Sequence, residues 1–212
     1  LYDSLKRDYV IWNILEYNSI LSIIPLDYPS ILKKVLEKTK KYGHLKVIKT
    51  NMPTKHASIK DQKTDKHCFE NIHTCRLVDG RYNLIKKYSN IELSYSNKLK
   101  LVLAHKMYGI PYLDKEGKYG ISNRDNYVIV DKSIEDLQKI KRCLESKLVI
   151  FLYETTRYRM KYLEKYIYQF LPDFSLILNF NPEDIYSFFN LTKEEIDYIS
   201  SFVKKNYIMT EN

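Results

Sequence analysis

Apolar positions along this chain recur with two different periods, and the change of period divides it. Residues 5–24 are apolar with scattered polar positions and run up to Pro25 and Pro29. Residues 31–41, ILKKVLEKTKK, put Ile31, Leu32, Val35 and Leu36 on one side and five Lys on the other. That spacing predicts an amphipathic helix with Ser30 as its N-cap and Gly43 as its stop. LKVIK at 45–49 predicts a short strand. Residues 50–66 show no periodicity and read as a long polar loop, a length at which loops in compact domains are usually functional or mobile.

The period then becomes two. Residues 72–78 alternate, Asp79-Gly80 supplies a two-residue turn, and 82–85 return, which predicts a β-hairpin. LKLVLAH at 99–105 is continuously apolar and predicts a central strand. Residues 114–117 predict a turn, and YVIV at 127–130 another strand. From Ser133 the pattern is helical. Ser133 with Asp136 resembles a capping box, and Ile134, Leu137, Ile140, Leu144, Leu148 and Phe151 recur at spacings of three and four. A second helix is expected over 156–170 on Met160, Leu163 and Ile167, and Asn181-Pro182 opens a short one. Thr192 and Glu195 form a capping box for a last helix ending near Val203. The order of elements predicts an α+β fold, with a central mixed or antiparallel sheet, flanking helices and a C-terminal helical section. The expected organisation is a helical segment over 1–44, a sheet-rich recognition domain over 45–132 and a helical section over 133–212.

Composition narrows the class. The 212 residues are 44% apolar and 14% aromatic, with 20 Tyr, which excludes a disordered polar tail and suffices for a core. Five Gly exclude flexible Gly-rich linkers and disfavour dinucleotide-binding loops. No apolar run reaches membrane-spanning length, and no charged-then-apolar leader opens the chain. The start at Leu1, without Met, leads us to expect a soluble piece of something longer. Three cysteines (Cys68, Cys75, Cys143) do not make a disulfide framework and fit a reducing, cytoplasmic setting, including host cytoplasm or a virion.

The formal charge is +9, and it is polarised. Residues 33–66 hold 11 basic and 3 acidic groups, whereas residues 172–212 hold 3 basic and 7 acidic. A patch of this kind is the footprint of a polyanion partner, or else a solvated Lys-rich face.

Several chemistries are absent. There is no phosphate-binding G-x-x-x-x-G-K-[ST] or G-x-G-x-x-G loop, no G-x-S-x-G elbow, no H-E-x-x-H and no C-x-x-C. His67, Cys68, His73 and Cys75 have zinc-ligand chemistry but interleave along one extended segment, so satisfied hairpin residues are the favoured reading. Asp114, Glu116 and Lys118 resemble a nuclease metal site only if the segment is extended, and a solvated turn is favoured.

The densest binding chemistry lies in 105–127, which spends Gly109, Gly117 and Gly120 on one loop. Among them stand His105, Lys106, Tyr108, Tyr112, Lys118, Tyr119, Asn123, Arg124 and Asn126. Cations reach phosphates, Tyr rings stack on bases, and Arg and Asn fork onto guanine and adenine edges. Lys46, Lys49, Lys55 and His56 from the basic stretch complete the candidate DNA-binding set. A Tyr-rich hairpin packed on its own sheet is the alternative.

The succession KLKLVLAHK at 98–106, GIPY at 109–112, GKYG at 117–120 and YVIV at 127–130 resembles a known family. It is similar to the C-terminal specificity region of type II restriction–modification DNA adenine-N6 methyltransferases, including relatives in large DNA viruses. LESKL at 144–148 and PEDIYSFFNLTKEEIDYI at 182–199 resemble the family's following segment and C-terminus, while KVIKT at 46–50 and IHT at 72–74 fit more loosely. The resemblance covers roughly 45–203. It implies a target-recognition domain that grips double-stranded DNA, while a separate N-terminal methylase domain or subunit binds S-adenosylmethionine and transfers the methyl group. The family's catalytic tetrapeptide, an Asn or Asp, two Pro and an aromatic, is missing. The nearest match, NMPT at 51–54, lacks the first Pro and the aromatic.

The expectation is therefore a non-catalytic DNA-recognition module with no cofactor or metal of its own and no membrane partner. A metal-dependent nuclease and a structural or packaging nucleic-acid-binding protein are the competing readings.

Overall fold

A computed structural model of the chain describes residues 2–11, 28–78, 81–105, 111–156 and 163–203. The chain opens with β1 (Tyr2–Asp3) and β2 (Asp8–Tyr9), an antiparallel pair. The first helix among the described residues, α1 (Pro29–Tyr42), buries the four apolar residues that its period marked. It starts earlier than the pattern predicts. Tyr28, in the left-handed region at φ 55°, is the N-cap, and Pro29 takes a first-turn position where a missing N–H costs nothing. Ser30 is consequently inside the helix. Its backbone N–H donates to Asp3 Oδ2 at 3.0 Å, and Asp3 Oδ1 accepts from the N–H groups of Leu5 and Lys6. Burial alone would raise the Asp3 carboxyl, but these hydrogen bonds hold it below its ordinary value.

The middle of the chain is strands: β3 (Ile48–Lys49), β4 (Ile59–Lys60), β5 (Phe69–Val78), β6 (Arg81–Ser89), β7 (Lys100–Ala104), β8 (Pro111–Asp114), β9 (Gly120–Ile121) and β10 (Asn126–Ile129). The hairpin is present and longer than its alternation suggested, with β5 and β6 registered from Phe69↔Ser89 to Val78↔Arg81. A bulge between Ile72 and Thr74 shifts the register midway. The turn pair Asp79-Gly80 lies outside the described residues.

Among the described residues, four α-helices follow: α2 (Ile134–Leu144), α3 (Lys147–Thr155), α4 (Ile185–Phe188) and α5 (Lys193–Phe202). The single helical face expected over 134–151 is broken, because the Ser146 side chain accepts from the Val149 N–H and caps a new helix. In place of the helix expected over 156–170, the described part is a 3₁₀ turn, Lys165–Gln169, and Met160 lies outside the described residues. The caps at Ser133 and Thr192 stand as predicted, the second as a full box with Glu195. Among the described residues, no helix is long and apolar enough to cross a membrane.

Two four-stranded sheets carry the architecture. One, ordered β3-β10-β7-β8, is antiparallel; the other, β4-β6-β5-β9, is mixed because β9 runs parallel to β5. Leu101, Leu103, Tyr127 and Ile129 face a helical core that includes Ile31, Leu137, Phe151 and Ile199. Val102, Ala104 and Val128 face the second sheet at Ile72, Cys75 and Ile121. The first sheet is therefore covered on both sides, which is why β7 reads as unbroken apolar sequence.

One charge interrupts that run. Lys100 and Asp114 are 0% and 3% exposed at their side chains and meet at 2.6 Å. The remaining Lys100 protons go to the carbonyls of Tyr95 and Lys98, both at 3.0 Å. Asp114 also accepts from the N–H groups of Lys118 and Tyr119, each at 3.0 Å. Desolvation pulls the Lys100 ammonium below its ordinary pKa against the opposing pull of Asp114. The 95–98 and 115–119 loops close on this pair. Gly117, at φ +67°, fits only as Gly, since a Cβ would stand 2.8 Å from the Lys98 nitrogen.

Asp114→Ala strands a buried ammonium and two N–H donors and should cost about 3–5 kcal/mol in urea unfolding. Lys100→Met should cost less, because the carboxylate keeps its backbone donors. Burial also raises the phenols of Tyr112, Tyr127, Tyr153 and Tyr168 above their ordinary value. Stability from these groups is complete below about pH 10, where the unfolded phenol titrates, and is lost as pH rises past it. The urea midpoint should fall steeply above that pH; an unchanged midpoint would contradict the burial.

Candidate nucleic-acid interface

One end of the first sheet gathers five of the candidate residues, Lys49, His105, Asn123, Arg124 and Asn126. β3 pairs with β10 at Tyr127↔Lys49, so the chain enters its long polar loop beside the turn that precedes β10. Thr50, 2% exposed, joins the two. Its N–H donates to the Asn126 carbonyl at 3.0 Å, and its hydroxyl reaches the carbonyls of Asn123 at 2.7 Å and Asn126 at 3.0 Å.

The 123–126 turn is held from two other strands. Asn126 Nδ2 donates to the His73 carbonyl of β5 at 3.0 Å and to the Asn123 carbonyl at 3.3 Å. The His105 N–H, just past β7, donates to the Asp125 carbonyl at 3.1 Å. Within the turn, the Asp125 N–H donates to Asn123 Oδ1 at 3.3 Å. His73 Nδ1 lies 3.2 Å from Ser122 Oγ, and burial with the nearby Lys87 charge lowers its pKa. A turn anchored at so many points holds its exposed residue, Arg124, in a defined place.

Of the basic candidates, Lys49 is exposed beside this turn, opposite Tyr127, and Asn123 is half-buried. Lys46, three residues earlier on the same edge, is exposed toward the other end of the sheet, and Lys55 and His56 are exposed in the polar loop. His105 and Asn126 are buried. His105 packs edge-on to the Tyr127 ring at 5.4 Å, so both position the turn instead of presenting a surface. Lys106 and Tyr108 lie outside the described residues.

Tyr112, Lys118 and Tyr119 belong elsewhere. Asp114 pairs with Lys100 at one end of β7, whereas Asn126 pairs with Ala104 at the other, about 13 Å away. There Tyr119 is buried, with Lys86 over its ring at 4.8 Å and hydrogen-bonded to it, a contact that raises the Lys86 pKa. Lys118 is exposed, with its ammonium 3.4 Å from Glu70. Lys86 lies 3.8 Å from the same carboxylate.

Of the two carboxylates in the nuclease reading, Asp114 is spent on Lys100 and two backbone donors, and Glu116 is exposed on the adjoining turn. His67 lies within hydrogen-bond distance of the Thr64 and Ser58 hydroxyls, and burial pushes the Cys75 thiol up to about 12. Among the described residues, no cluster of His, Cys, Asp or Glu is placed to hold a metal. No described glycine stands at a strand-to-helix turn: Gly43 ends α1, and Gly117 and Gly120 pack against the 93–98 loop.

Thr50→Val keeps the side-chain volume and deletes the hydroxyl that bridges the loop to the turn. It should cost about 1–3 kcal/mol in urea unfolding and speed amide exchange in 122–126. Unchanged exchange there would show that the bridge does not hold the turn. In comparisons with known proteins, no family model, no curated protein and no solved structure matches this chain.

Proposed function

We propose that this chain is the DNA-recognition module of a DNA adenine-N6 methyltransferase, or of a fused restriction–modification enzyme, and that it binds double-stranded DNA without transferring methyl itself. The observation that carries the reading is the Thr50 bridge. It sets Lys49 and the start of the polar loop beside an anchored turn whose exposed side chain is Arg124. Lysines supply sequence-independent attraction to phosphates, and a preorganised Arg supplies a fork for a base edge or a phosphate. The ordered likeness at 98–130 and 182–199 supports the family assignment. S-adenosylmethionine and the catalytic tetrapeptide belong, on this reading, to a methylase domain or subunit that partners the module. The free cysteines, exposed at Cys68 and buried at Cys75 and Cys143, suit a reducing, cytoplasmic compartment.

Fluorescence anisotropy with duplex DNA tests this directly. Six phosphate contacts would lower affinity about a thousandfold between about 50 and about 200 mM salt. Lys49→Ala with Lys55→Ala should flatten the salt slope by about 2. Arg124→Ala should relax preference at one base pair by about 1–3 kcal/mol. A uniform loss on all sequences would reassign Arg124 to a phosphate, and no binding at about 50 mM salt would sink the proposal.

A further inference from the structure

The β5–β6 hairpin outruns the sheet that holds it. β9 registers with β5 only at Asn71 and Ile72, and β4 with β6 only at Tyr88 and Ser89. Among the described residues, the distal part, 74–78 with 81–85, has no further strand along either edge. Cys75 and Leu84 stand opposite each other and turn inward, to the cluster that holds Val102 and Ala104. Alternation puts Thr74, Arg76, Asn83 and Ile85 on the other face. Arg76 and Asn83 are both exposed and registered directly across from one another, a position at which Cβ atoms are about 5 Å apart.

The dimensions and charges suit one occupant. Paired strands lie about 5 Å apart and five residues extend about 16 Å. The B-DNA major groove, about 12 Å wide and about 8.5 Å deep, admits such a ribbon. Lower on the same face Lys87 sits 3.1 Å from Asp61, and the adjoining loop exposes Lys60, Lys63 and Lys66 against Asp61 and Asp65. That leaves an excess of cations for the phosphates that flank a groove. Arg is the residue that forks onto guanine O6 and N7, and Asn the one that pairs with adenine N6 and N7.

We infer that the exposed face of the β5–β6 ribbon lies in the major groove of the bound duplex, with Arg76 and Asn83 reading a guanine and an adenine of neighbouring base pairs. This rests on the recognition reading above and adds to it a second reading element, apart from Arg124. A protein strand adding to a ribbon edge is the competing use of the same surface.

The test uses the whole chain. A duplex is selected from a randomised pool and then carries 5-iodouracil, whose iodine replaces the major-groove methyl of thymine. Ultraviolet cross-links are mapped by peptide, and Arg76→Ala and Asn83→Ala, both at exposed positions, are titrated against selected and scrambled duplexes. The expected result is a cross-link within 69–89. Each variant should also lose roughly 5- to 150-fold in preference for the selected duplex, with little change on the scrambled one. If the wild type binds but cross-links map only to 49–56 or 122–126, the ribbon inference falls and the recognition reading stands. Wild-type preference in both variants, or binding with no sequence preference at all, likewise overturns base reading by the ribbon. Failure of the wild type to bind any duplex at about 50 mM salt defeats the recognition reading itself.

Discussion

The buried pair of Lys100 and Asp114 is the constraint on which the remaining architecture depends. Two charges withdrawn from water carry a desolvation penalty of several kcal/mol each, tolerable only when every donor and acceptor is used. Here they are: the ammonium meets a carboxylate and two carbonyls, and the carboxylate adds two backbone N–H groups. One ion pair thus fixes the relative positions of chain points from Tyr95 to Tyr119. It lies on the face of β7 and β8 that meets the second sheet, so it also sets how the chain leaves β8. That exit leads to Gly120 and Ile121, which pair with β5, and the next residues form the anchored turn.

The two sheets then divide the labour. The antiparallel sheet is a buried slab, with helices on one face and the hairpin sheet on the other. Its strand ends are where backbone leaves the ladder and polar residues gather. Thr50 and Asn126 spend their side chains on the carbonyls of Asn123, Asn126 and His73, and Asn123 Oδ1 accepts from the Asp125 N–H, so together they hold the exposed Lys49 and Arg124 in place. The hairpin sheet is covered by the slab on its inner face, which leaves the opposite face of its distal ribbon for contact.

Sequence period was enough for the elements whose signals are local. The faces of α1 and α2, the caps at Ser133 and Thr192, and the β5–β6 hairpin all rest on residues within a few positions of each other. The break at Ser146 was also local, but a helical face that continues through Leu148 and Phe151 masked it. Long-range partners were not legible. A lone Lys in an apolar strand was a signal at Lys100, yet its partner is fixed only by the register of β7 on β8. His105 and Asn126 read as groups reaching outward, because nothing near them in sequence discloses the edge-on packing of His105 against Tyr127 or a His73 carbonyl 53 residues from Asn126. Lys118 and Tyr119 share a stretch of sequence with Arg124 but lie at the other end of β7, and Tyr112 sits mid-strand opposite Val102, since the intervening segment passes along β5.

Amide hydrogen exchange with and without a saturating DNA duplex tests the account most directly. DNA should slow exchange in 50–56 and 122–126, while α2 and α3 on the opposite side of the slab are unchanged. Protection confined to the helices, or none anywhere under conditions where the duplex is bound, would contradict it.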